Sequence, residues 1–96
     1  EIFSSSELGQ NPARLSVVQP RLTSTLLRQA PATVVVIFIV DENGRVQDPK
    51  VQRTTNPSFD RSALAAIKQW KFEPAKVQGR SVSSRLRQSF SFENNT

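Results

Sequence analysis

Ninety-six residues with 13 Lys and Arg, 8 Asp and Glu and no His give a formal net charge of +5, and a chain of this size holds one domain whose single core is sufficient but not generous. Cysteine is absent, which excludes disulfides and thiolate metal sites, and without histidine the commonest general base and neutral metal ligand are missing too. The longest apolar run, Val34 to Val40, is far too short to cross a bilayer, while the positive charge favours acidic partners and has solubility as its plainer reading.

The chain opens at Glu1 rather than Met with no signal-like segment, which predicts a fragment or processed form. Residues 1–13, "EIFSSSELGQNPA", lack any sustained period and are expected to be a flexible lead-in, with the domain occupying residues 14–96. "RLSVVQP" predicts a short extended piece ending at Pro20, which biases Gln19 away from helix. "PRLTSTLLRQ" predicts a short helix with Pro at its first position and Leu22, Leu26 and Leu27 at helical spacing.

"TVVVIFIV" is the clearest element, a β-branched and aromatic run expected to be the central strand. "DENG" stops it in a hairpin, with Gly44 able to take positive φ. "RVQDPKVQRT" is its partner, on an edge or with a bulge because Pro49 lacks an N–H. From Phe59 to Trp70 the apolar residues Phe59, Ala63, Ala66, Ile67 and Trp70 fall on one helical face, with Asn56 or Ser58 as cap and Asp60 near the positive end. Trp70, with Phe72 and Pro74 after it, is expected to close one end of the core. The final "VSSRLRQSFSF" alternates, placing Val82, Leu86, Phe90 and Phe92 inward. The predicted fold is α+β: a small three-stranded antiparallel sheet of order 2-1-3 with two helices packed on one face. Val35, Ile37 and Ile39 would then form an apolar row on the opposite face, which calls for a cover by the N-terminal segment, a partner or a second copy.

The segments "FIVDENGRVQDPKV", "FDRSALAAIKQWKFEPAKVQGRSV" and "SFSF" together resemble the C-terminal domain of TonB proteins, over about Leu15 to Phe92. The W-x-F-x-P-A stretch at the helix end carries most of that resemblance, and Gln19-Pro20 falls where the family has a Q-P segment. The resemblance implies a periplasmic module anchored in the inner membrane through a segment outside this chain. Such a module binds the TonB-box peptide of outer-membrane transporters and transmits force from inner-membrane motor proteins driven by protons.

Strand addition is the physical route to such binding, because main-chain pairing tolerates many side-chain sequences. Pro49 blunts one sheet edge, whereas the last strand has no Pro and is expected to stay open. The expected peptide-binding residues are therefore Val82, Ser83, Ser84, Arg85, Leu86, Arg87, Gln88, Ser89 and Phe90. Gln19, Pro20 and Arg21 join them by resemblance to the Q-P segment, and a homodimer remains an open expectation.

No enzyme, cofactor or metal site is expected: there is no G-x-S-x-G elbow, the three glycines are scattered, and Asp41, Glu42 and Asp48 are explained by turn chemistry. Two alternatives stand beside the transducer. One is a TonB-like structural or cell-wall-binding domain of another envelope protein. The other, ranked lower, is a nucleic-acid-binding module suggested by an isoelectric point near 10.8; base stacking would need aromatics on the open sheet face, where Arg and Ser alternate instead.

Overall fold

A computed structural model of the chain describes residues 2–4 and 13–93. Strands β1 (Ile2–Ser4) and β2 (Arg14–Ser16) precede helix α1 (Ser24–Gln29); β3 (Ala32–Val40) and β4 (Val46–Thr54) follow. A 3-10 turn, Pro57–Phe59, leads into α2 (Asp60–Ile67), and β5 (Lys71–Phe72), β6 (Ala75–Val77) and β7 (Arg80–Phe92) complete the order.

The β-branched run folds as its composition dictates. In β3, Ala32, Val34, Val36, Phe38 and Val40 are buried and the residues between them half-buried, so one face carries the core. The chain then reverses around Asp41. Its Oδ1 accepts the N–H groups of Asn43 and Arg45, each at 2.9 Å, and its Oδ2 accepts the Gln47 amide at 2.9 Å. Gly44 takes φ +81° there, a conformation that favours glycine.

The sheet is larger than the sequence predicts. β3 lies between β4 and β7, but β1 adds to the far side of β7 and β6 also pairs with β7, giving five strands in place of three. Nor is the sheet wholly antiparallel, since β1 runs parallel to β7. Three further differences have local causes. A two-residue turn joins β6 to β7, with Gln78 at φ 52° and Gly79 at φ 78°, the left-handed pair of a type I′ hairpin. β2 and β5 form a separate two-stranded sheet. Residues 1–13 are not a lead-in throughout, because Ile2–Ser4 are a strand; residues 5–12 lie outside the described part.

Pro49 sits as its chemistry requires. β4 is the terminal strand of the sheet, and its register to β3 shifts between Lys50 and Gln47, a bulge where Asp48 adopts φ 49° and the missing N–H does no harm. α1 begins later than Pro20 suggests, because Thr23 is its N-cap and accepts the Leu26 N–H at 3.2 Å. The second helix divides: Asn56 caps the 3-10 turn, and α2 ends at Ile67, so Trp70 stands just past it.

The core binds these pieces together. Phe59, Ala63, Ile67, Trp70 and Phe72 pack on the inward residues of β3 and β7, with Leu22 and Leu26 at the margin. Trp70 meets Phe90 edge-on at 5.6 Å and Phe72 at 6.2 Å, separations at which aromatic pairs attract beyond simple area burial. The apolar row Val35, Ile37 and Ile39 on the opposite face is half-buried. The described N-terminal residues do not cross that face. Instead, register sets Arg53 and Ser89 beside Val35, Lys50 and Arg87 beside Ile37, and Gln47 and Arg85 beside Ile39, so long polar side chains whose stems are aliphatic border the row.

Candidate functional site

The edge of β7 that faces away from β3 is divided along its length. β3 holds the inner edge from Ser84 to Phe92. On the other side, Ile2, Phe3 and Ser4 pair with Ser83, Ser84 and Arg85, and Val82 is already engaged by Ala75 of β6. The expected open edge from Val82 to Phe90 is thus corrected at its first four residues. From Leu86 onward, no strand among the described residues pairs with this edge. Alternate residues there aim N–H and C=O groups outward, the template an extended chain can use.

A groove of about 460 Å³ runs beside the open part, lined by Gln88, Ser89 and Phe90 on one side and by Gln19 and Pro20 on the other, with Trp70 in its wall. The structure therefore brings two separately predicted segments together. Arg21 is exposed and does not line this groove. Arg87 and Leu86 border a second depression of about 340 Å³ with Ala13 and Arg14. Arg85 and Arg87 point to the open sheet face and are exposed, whereas Leu86 and Phe90 are buried in the core.

What holds the Gln19-Pro20 segment beside β7 is a pair of contacts that spacing in the sequence does not signal. The Trp70 indole N–H donates to the Val18 carbonyl at 2.8 Å, across 52 positions of chain. The Arg14 guanidinium lies 5.8 Å from the Trp70 ring centre, within cation–π range. The Glu73 N–H donates to the Ala13 carbonyl at 2.9 Å, which fixes the start of the same segment.

The chemistry on offer is main-chain pairing with a cationic margin. Among the described residues no group of three or more carboxylates gathers to hold a metal ion. Phe38, Phe59, Phe72, Phe90, Phe92 and Trp70 are all buried, and half-buried Phe3 pairs with inward-facing Ser84, so among the described residues the open sheet face has no stacking platform for bases. Ser84 is fully buried, and its hydroxyl has no hydrogen-bond partner among the described residues.

The fold is thus a mixed α+β domain in which no strand among the described residues pairs with half of the outer edge of β7, beside a groove. The profile of the family described as Gram-negative bacterial TonB protein C-terminal matches residues 26–93, and the chain belongs to that family. The family is non-enzymatic and consists of energy transducers. Protein TonB from two strains of Xanthomonas campestris pv. campestris is 35% identical over 60 residues, covering 62% of this chain and 27% of each relative. The chain thus spans about a quarter of the length of those proteins. The solution NMR structure of the Pseudomonas aeruginosa TonB C-terminal domain superposes with a TM-score of 0.70 at 26% identity, covering 83% of each chain. No helix among the described residues is long and apolar enough to cross a membrane.

Proposed function

We propose that this domain is the periplasmic module of a TonB-type transducer and binds the TonB-box peptide of an outer-membrane transporter as an added strand on the outer edge of β7. The observation that carries the reading is the stretch from Leu86 to Phe92, with whose outer edge no strand among the described residues pairs, beside a groove whose far wall is Gln19 and Pro20. An extended peptide there gains main-chain hydrogen bonds from β7, while the groove receives its alternate side chains. Arg85 and Arg87 border the open face and favour acidic or polar peptide positions. β7 is held by β3 over nine residue pairs, from Ala32 with Phe92 to Val40 with Ser84, so tension on an added strand is borne by the central sheet. In the full protein the module connects to an inner-membrane anchor and to proton-driven motor proteins through segments outside this chain.

The test is an amide-shift titration with the TonB-box peptide of the cognate transporter. Perturbations along Leu86 to Phe92 and at Gln19 support the reading. Shifts confined to the hairpin at Asp41 to Gly44, with β7 silent at saturating peptide, overturn it.

A further inference from the structure

The most unexpected element of the sheet is its parallel edge strand. Ile2–Ser4 lies against Ser83–Arg85, the start of the same edge on which a partner strand is proposed to add. β7 does not need this strand for its own support, because β3 already pairs with it from Ser84 to Phe92. Nor is β1 anchored deeply: Ile2 is 42% exposed and Phe3 only half-buried, beside Val77 and Val82 in a surface depression. A three-residue edge strand whose Ile2 and Phe3 are not buried belongs to the readily opened part of a fold.

We infer that Ile2–Ser4 is an intrachain occupant of the partner-binding edge, which an incoming peptide reaching Ser83 must displace. The inference rests on the strand-addition reading above. Its physical basis is competition for one set of main-chain groups. The N–H and C=O groups of Ser83–Arg85 that face away from β3 bond either to Ile2–Ser4 or to an incoming strand, never to both. Tethering strengthens the internal competitor, since a segment joined to the domain through a short connection has an effective concentration on the order of millimolar. A partner present at lower concentration displaces it only by making more contacts, and the groove and the edge from Leu86 onward, which no strand among the described residues pairs with, supply them. Displacement can then proceed from that end: the partner first pairs along Leu86–Phe92 and extends back toward Ser83 as β1 leaves. Apparent affinity is reduced by the fraction of molecules whose edge is open, so a short partner confined to Leu86–Phe92 escapes competition from Ile2–Ser4 and a longer one does not.

The experiment compares the intact chain with Phe3→Pro, which removes one N–H and the extended pairing of β1, and with Phe3→Ala, which keeps the backbone donor. Thermal melts check that both variants keep the central sheet. A TonB-box peptide long enough to reach Ser83 should bind Phe3→Pro about tenfold more tightly than the intact chain, as for an edge open in about one molecule in ten, with Phe3→Ala in between. A synthetic peptide of residues 1–6, EIFSSS, added to Phe3→Pro should return the amide signals of Ser83, Ser84 and Arg85 toward their positions in the intact chain. Equal affinity of the TonB-box peptide for all three chains overturns the inference while leaving strand addition intact. If that peptide binds none of them, strand addition is what fails. The hexapeptide then decides alone: return of the Ser83–Arg85 signals upholds the intrachain occupant, and no response overturns it.

Discussion

The Gly44 carbonyl accepts the N–H of Phe72 at 2.9 Å, and a side chain on Gly44 would run into the Phe72 carbonyl. The first hairpin and the chain leaving α2 are therefore in main-chain contact, with no room for a Cβ between them. Gly44→Ala should lose roughly 1 to 3 kcal/mol to backbone strain at its positive φ, and more to the clash. Gly79 provides the control, because it shares the positive φ but a Cβ added there would meet nothing within 4 Å. Gly79→Asn should melt within a few degrees of the parent while Gly44→Asn falls by about 10 °C or more. Equal melting temperatures would show that the hairpin does not touch β5.

Trp70 joins core packing to the groove wall. Trp70→Ala should cost roughly 3 to 5 kcal/mol, as for a large aromatic removed from a core. Trp70→Phe keeps much of the volume but strands the Val18 carbonyl, adding a loss of about 1 to 3 kcal/mol if that carbonyl stays shielded from water. Its distinctive signature lies in the residues that move: amide shifts at Val17 to Pro20 should exceed those in β3. A perturbation centred on β3 would argue against the indole as the tether of that segment.

Acid should loosen the first hairpin before the core. Burial raises the Asp41 pKa, but the hydrogen bonds donated by the Arg45 N–H, the Gln47 amide and the Asn43 N–H outweigh it, so the net position is below the ordinary 3.8. A carboxylate with a depressed folded-state pKa contributes stability that is complete above its unfolded value and lost as pH falls through the folded value. Stability lost by Asp41→Asn at neutral pH should therefore shrink below about pH 4 and vanish at lower pH. A penalty that stayed constant down to about pH 2 would remove charge from the account of this turn.

Binding should depend on the β7 backbone more than on its side chains. Neighbouring residues of a strand aim their N–H groups to opposite sides, so of Gln88→Pro and Ser89→Pro one removes a donor to β3 and destabilises the sheet. The other removes an outward donor, and its expected result is a folded protein that no longer binds the TonB-box peptide. Arg85→Ala and Arg87→Ala, at exposed positions, should weaken binding only a fewfold, chiefly through association at low salt. Two proline variants that fold and bind alike would refute edge pairing.

The residues that were legible in advance are those whose environment is set by their own neighbours. A run such as Val34 to Val40 has few alternatives to a buried strand, and the face from Phe59 to Ile67 repeats at helical spacing. Gln78-Gly79 hid a hairpin because Gln is not among the residues that favour the first place of a type I′ turn. Strand β1 escaped because three residues among serines carry no period, and only the three-dimensional position of β7 gives them a partner. At the candidate site, Gln88 to Phe90 could be read from alternation and Gln19-Pro20 from resemblance. Their meeting across one groove depends on the bond between Trp70 and Val18, a contact between distant positions that no local pattern encodes.

The chain has one tryptophan and no tyrosine, and that tryptophan is 4% exposed in the groove wall. Its intrinsic emission is therefore a label-free optical readout from a single known place. Unfolding should shift the emission to the red as water reaches the indole. A peptide seated over the groove should change its intensity with little shift, because the ring is already shielded. The two events, which a melting curve would merge, become separable by colour in the unmodified protein.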